Sequence, residues 1–560
     1  MRKIIISFLL LLLVIGFHSH TLACTNFIIT KGASVDGSVM ITYSADSHQL
    51  YGELYFWPAR DYPAGTMVDV IEWDTHKPLG KIPQVRHTYS VVGNMNEHQL
   101  AVGETTFGGR DELQTQKGGI VDYGTLIYFS LQRAKNAREA IQVMGDLVAS
   151  YGYASEGESF SISDPNEAWI LEMIGKGEGQ KGAVWVALRI PDGYISGHAN
   201  QARITQFPLN DPENCIYSPD VISFAREKGW FDGSDAEFSF SDTYAPVTFS
   251  GARACEARVW AMFNRVNANM GQYENYAMGH LIQGKWGYTQ NRMPLWIKPD
   301  KKISVHDVME LMRDHYEGTK MDMTYDIGAG PFQCPYRWRP MTWKVDSVNY
   351  VHERATSTQQ TGFVFVAQSR SWLPDPIGGI FWFGVDDTYT TVFTPMYCGI
   401  TKVPHSFAAG NGDMLTFSPT SAFWTFSLVS NWAYSRYNYM IKDIQPVQRE
   451  LETRFFSETA DVDKKAAELF KTDKSAARKY LTDYSVKTGD ATVKRWQELF
   501  QYLLVKYIDG NIKKEKDGKF ETNGYGIPLM PSQPGYPEWW LREIVKQHGD
   551  VILQTGPSGH

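Results

Sequence analysis

The chain is poor in the features that define several protein classes. Five cysteines in 560 residues are too few for a scaffold built on disulfides. No cluster of lysine and arginine offsets the formal net charge of −8, which argues against nucleic acid as the main partner. Beyond the first residues no apolar run is long enough to span a membrane. His48, His98 and His198 stand at no metal-ligand spacing and no His-Glu-x-x-His helix is present, so the common zinc-peptidase pattern is missing. Gly175-Lys176-Gly177-Glu178-Gly179 lacks the phosphate-loop pattern and reads as a hairpin turn. There is no fixed-period repeat, low-complexity tract or Ser/Gly linker.

What is present begins at the N-terminus. Arg2 and Lys3 precede an apolar run from Ile4 to Phe17, and Thr21-Leu22-Ala23 follows. That pattern reads as a cleaved export signal over residues 1–23, which makes the remaining chain periplasmic or extracellular. Cleavage after Ala23 leaves Cys24 as the first residue. It then carries a thiol and a free α-amine on adjacent carbons.

From Cys24 onward strand blocks alternate with helix blocks. Cys24–Thr30 and Ser38–Tyr43 read as two strands joined through Val35-Asp36-Gly37-Ser38, since Asp-Gly between apolar runs marks a hairpin. Short strands follow through about Gly103. The apolar spacing of Leu126, Phe129, Ala137, Ile141, Met144 and Leu147 predicts a helix over about 125–150. Strands return at 160–162, 168–173 and 184–189, and Pro191-Asp192-Gly193 turns the last into Tyr194–Asn200. Helices are expected over 252–269 and 304–317, the latter with a Ser304/Asp307 capping box. Strands are expected at 363–367 and 379–384, and mostly helix from Ser421 to Asp509. The pattern is α+β and layered, with no doubly wound parallel sheet. It divides into a main domain over 24–420 and a largely helical region over 421–560 that packs on or extends it. Cys215, Cys255, Cys334 and Cys398 are open either to pairing or to burial as free thiols.

An α-amine titrates near pH 7.7–8.0, so in an N-terminal cysteine it can take the thiol proton at working pH. The competing reading of Cys24 is the acylated cysteine of a lipoprotein. The two exclude each other, because lipidation blocks the thiol and usually the amine. Thr21, where lipoprotein signals favour leucine, weighs toward the nucleophile.

The run Cys24-Thr25-Asn26-Phe27-Ile28-Ile29 with Ala33-Ser34-Val35-Asp36-Gly37-Ser38 resembles the start of the dipeptidase A (secernin-related) family of N-terminal-nucleophile, or Ntn, cysteine peptidases. Arg133–Ala140, Asp164–Trp169, His198–Ile204, His315–Thr319, Gly384–Tyr389 and Tyr397–Thr401 resemble it further, in order. The resemblance implies a four-layer αββα sandwich of two antiparallel sheets. It also implies a cysteine-type dipeptidase that acts on dipeptides or short peptides through a thioester on Cys24, with no cofactor and no metal. Relatives of the same fold cleave bile-salt conjugates and penicillins, so an amidase acting on non-peptide amides is the alternative. The chain carries no indication of oligomeric state.

The resemblance also suggests roles for other residues. Asn200 is similar to the asparagine that helps form an oxyanion hole, Asp46 to an acid that orients the cysteine, and Arg258 to a polarising arginine. Thr105 or Thr106 lies where relatives supply a second oxyanion donor. Against the family pattern, Tyr43 stands where an arginine is common. Asp386-Asp387 reads as a turn pair.

Overall fold

The computed structural model describes residues 24–114 and 116–556; the expected signal over 1–23 lies outside them. Strand-forming segments assemble into two large antiparallel sheets. The first runs Trp296–Ile297, Ile195–His198, Asn26–Ile29, Val39–Asp46, Thr361–Ser369, Ile380–Val385, Thr394–Tyr397. The second runs Cys215–Tyr217, Ala183–Arg189, Ala168–Gly175, Gly157–Ser163, Ala101–Gly108, Met95–Asn96, Val91–Val92, Phe56–Trp57. Consecutive strands mostly lie side by side, as expected of hairpin-connected sheets.

The sheets pack face to face, and period-two alternation decides what each face meets. On Ile380–Val385, Phe381 lies against Gly93 at the sheet interface while Trp382 points the other way and packs on Phe456 at 5.1 Å. The outer face of the second sheet, with Val102, Phe160, Trp169 and Leu171, is covered by Leu126, Leu131, Ile141 and Met144 of two helices. The outer face of the first is covered by Ala422–Ala433, Tyr437–Thr472 and Lys474–Tyr507. Phe426 stacks on Trp496 at 4.9 Å there, and the Tyr397 hydroxyl donates to Asp463 at 2.8 Å. The helical region after Ser421 is therefore the cover of a sheet, joined to it by buried contacts.

Three expected helices differ in detail. The one over 125–150 is two, Tyr123–Arg133 and Ala137–Tyr151. Asn136 caps the second by accepting from the Glu139 N–H at 3.0 Å, an Asn capping signal inside a continuous apolar stripe. The one over 252–269 starts as a six-residue π-turn, Gly251–Glu256, before Ala257–Val266. The Ser304/Asp307 capping box is present, but its helix stops at Met312. The first hairpin forms as expected, with Asp36 accepting from Ser38 N at 3.0 Å and Gly37 at φ +80° closing the turn. Cys24, Cys215, Cys255, Cys334 and Cys398 are all free thiols, so the possible disulfides among the last four are absent.

Candidate active site

Cys24 enters the fold at the head of the strand Asn26–Ile29, between Ile195–His198 and Val39–Asp46. Thr25 bridges Ser44 through N–H to carbonyl bonds at 3.3 and 3.0 Å, which fixes the backbone one residue after the thiol. Cys24 is buried. Its Sγ lies 3.7 Å from the Tyr43 hydroxyl and 3.8 Å from Glu104 Oε1, and it also faces the backbone N–H of Asp46. Tyr43 in turn donates to Glu104 in a short hydrogen bond.

Glu104 reaches the thiol from the other sheet because the sheets approach closely at Gly103. A Cβ there would sit 2.7 Å from the Asn26 amide and 3.2 Å from the Thr42 carbonyl, so only glycine allows the contact. The Asn26 side-chain amide, turned to suit, donates to Glu104 O at 3.1 Å and accepts from Glu104 N at 3.0 Å. Burial, followed by the charges of Glu104 and Asp46, pushes the Cys24 thiol well above its usual range. Burial likewise raises Glu104 to about 7 and Glu158 well above the carboxylate range. These surroundings hold the Cys24 thiol toward its protonated form.

Arg258 lies in the first turn of the helix Ala257–Val266, just after the π-turn, and bonds four groups at the ends of two strands. Its Nη1 donates to Cys24 O at 2.6 Å and Thr25 Oγ1 at 2.8 Å; its Nη2 donates to Ala199 O at 3.1 Å and Asn200 Oδ1 at 2.8 Å. Nε closes the turn on Ala254 O at 2.8 Å. π-turns concentrate at functional sites, and the one just before Arg258 directs a buried guanidinium to the Cys24 carbonyl. Asn200 adopts φ +59°, a left-handed conformation that asparagine tolerates, and its Nδ2 donates to Thr106 O at 2.6 Å. One guanidinium thus spans Cys24 and the amide of Asn200.

The remaining expected residues lie close by with other partners. The Asp46 carboxylate accepts from Arg354 Nη2 at 2.7 Å, Thr361 Oγ1 at 2.7 Å and Ser44 Oγ at 3.1 Å, so its side chain braces the loop while its N–H faces the thiol. The Thr106 hydroxyl donates to Glu158 at 2.9 Å, and that of Thr105 bonds His198 at 2.7 Å. His198 also meets Ser161 at 2.7 Å, and burial lowers it to about 3, so it is a neutral core histidine. Asp386 and Asp387 form a buried turn held by Ser427, Ser430, Tyr336 and Tyr434.

Sequence reasoning missed Glu104, Glu158 and Arg354. Glu104 left one signal, a carboxylate set in an apolar strand run, Leu100-Ala101-Val102-Gly103-Glu104.

A probable dipeptidase of Salmonella dublin is 25% identical over 403 residues, 68% of this chain and 82% of that protein. A probable dipeptidase of Latilactobacillus sakei is 26% identical over 380 residues, 65% of this chain and 71% of that protein. A probable dipeptidase B of Streptococcus pyogenes serotype M1 is 22% identical over 537 residues, 92% of this chain and 97% of that protein. The signature of Peptidase family C69 extends over residues 23–450, from the residue before the buried thiol to the long helix that covers the first sheet, and the chain belongs to that family.

Proposed function

We propose that the protein is an exported dipeptidase of the Ntn-hydrolase type, with Cys24 as its N-terminal nucleophile once residues 1–23 are removed. The observation that carries the reading is the raised Cys24 thiol, gripped through its carbonyl by Arg258 and touched by Tyr43 and Glu104. Such a thiol needs a base, and cleavage after Ala23 creates one on the same residue. The layer order of helices, two stacked antiparallel sheets and helices supports the αββα assignment.

In the reaction, the Cys24 α-amine takes the Sγ proton as sulfur bonds to the substrate carbonyl carbon. The Asn200 amide stabilises the resulting oxyanion. The tetrahedral species collapses, the C–N bond breaks, and the α-ammonium returns the proton to the leaving amine. Water, deprotonated by the same α-amine, then hydrolyses the thioester and frees the first amino acid and the thiol. Arg258 holds the nucleophile and Asn200 in register throughout.

The test is intact mass and N-terminal sequencing of protein recovered from its exported compartment, followed by a dipeptide panel. A free Cys24 N-terminus, dipeptide hydrolysis and its loss in Cys24→Ala are expected. Acylated Cys24, or an active form starting at another residue, overturns the mechanism.

A further inference from the structure

Arg339 and Arg354 stand at the two feet of an exposed hairpin, Thr342–Val345 paired with Val348–Val351. Its register sets Thr342 opposite Val351, and His352 N donates to Met341 O at 2.7 Å below that. Arg339 and Arg354 lie just beyond that base, and the charge of Arg354 acts on Arg339. Cations held this close repel one another, which favours an anion beside them.

The spot adjoins the thiol. Arg354 donates to Asp46, whose N–H faces Cys24 Sγ. Arg339 Nη2 donates to Gln360 Oε1 at 2.9 Å, and the Gln360 carbonyl accepts from Ser47 N at 3.0 Å, one residue past Asp46. Three guanidiniums, those of Arg258, Arg339 and Arg354, act on one another here, with the Asp46 carboxylate acting on Arg258 and Arg339. Burial and the charges of Arg354 and Arg258 lower Arg339 to about 10, and burial followed by the charges of Arg339 and Arg354 lowers His48. Nearby Glu353 is engaged by Arg253. The positive charge is matched by a donor left over: Gln360 is 6% exposed, and its Nε2 has no partner among the described residues. Arg339 itself is exposed, so a ligand can reach it.

We infer that Arg339, with the Gln360 amide and the field of Arg354, binds the free C-terminal carboxylate of the peptide substrate and thereby restricts the enzyme to peptides ending one residue after the scissile bond. The inference rests on the dipeptidase reading above. In a dipeptide the carboxylate carbon is three bonds from the carbonyl that Cys24 attacks, so a cation beside the nucleophile reads it directly. A longer peptide presents a neutral amide at that place.

The experiment compares kcat/KM for alanyl-alanine and alanyl-alaninamide. The wild-type enzyme is expected to prefer the free acid by roughly 10- to 100-fold, the range for one hydrogen bond to a charged group. Arg339→Met brings the ratio toward one, Arg339→Lys restores part of it, and Arg339→Glu turns the preference toward the amide. Gln360→Leu lowers it less. Equal wild-type efficiency on both substrates, or an Arg339→Met variant that slows both by the same factor, overturns the carboxylate clamp and leaves the dipeptidase intact. Hydrolysis of neither substrate by protein with a free Cys24 overturns the dipeptidase reading and the clamp with it.

Discussion

Glu104 faces the Cys24 thiol from the opposite sheet, with Tyr43 and Glu158 around it, and a carboxylate in that position works against a thiolate. Replacing it with glutamine removes a negative charge while preserving shape. Glu104→Gln is therefore expected to lower the thiol pKa and speed alkylation of Cys24 by iodoacetamide at pH 8 by severalfold. An unchanged or slower rate would show that the carboxylate does not control the thiol. Asn200 is tested separately: Asn200→Ala is expected to reduce kcat by roughly 10²–10³, the usual cost of one oxyanion donor, with KM moving far less. Equal effects on kcat and stability would assign Asn200 to holding the Thr106 strand instead. The sequence singled out Cys24 through the export signal it follows, and Asp46, Asn200 and Arg258 only through a family resemblance; the structure brings these four residues close together. Glu104 and Arg354 were not legible there. Glu104 meets Cys24 across 80 residues and Arg354 meets Asp46 across 308, through sheet stacking and a hairpin foot that no local pattern encodes.

At the level of elements, buried polar contacts help tie the long helices to the rest of the fold. Arg313, at the end of the helix Val305–Met312, donates to Glu452 of the helix Tyr437–Thr472 at 2.6 Å, and both are nearly sealed from water. Glu452 also accepts from Phe393 N at 3.0 Å, which ties the helix to the chain just before the edge strand. Arg313→Leu strands a buried carboxylate and is expected to cost about 3–5 kcal/mol. The double variant Arg313→Leu/Glu452→Leu removes both charges and is expected to recover most of that, because replacing a whole buried pair is often nearly neutral. Urea denaturation of the three proteins decides; additive losses in the double variant would sink the account. The existence of these elements was readable from apolar periodicity, and the Asp-Gly hairpin from its turn residues. Their ends were harder. The break at Asn136 and the π-turn before Arg258 are settled by capping and by the reach of one guanidinium, which compete with a periodic stripe only once the sheets are in place.

The molecule as a whole buries titratable groups of opposite sense, and their balance sets its response to pH. Burial raises Glu104, Glu172 and Asp386 each to about 7, against ordinary values of 3.9–4.3 in an unfolded chain. Between those values the folded state holds protons that the unfolded state has released, so these groups favour folding in acid and lose their contribution as pH rises through about 7. His198 has the opposite sense. Held neutral, with its folded value near 3, it keeps its contribution above about 6.5, the unfolded value, and loses it as pH falls below that. From pH 7 down to about 5, three groups gain while one loses. Each contributes at most about 1.4 kcal/mol per pH unit, so stability is expected to fall on the order of 2 kcal/mol per unit as pH rises from 5.5 toward 7, then more gently as Glu158, raised further by burial, loses its contribution. Thermal melts across pH 5.5–8 check the direction: Tm should be highest at the acid end. Asp386→Asn keeps a group for Ser427 and Ser430 to bond but cannot titrate, and it should flatten the slope by roughly a third to a half. A Tm that climbs from pH 5.5 to 8 would mean that these carboxyls are ionised in the folded protein, and a negative charge on Glu104 would then oppose formation of the thiolate at Cys24 across the whole working range.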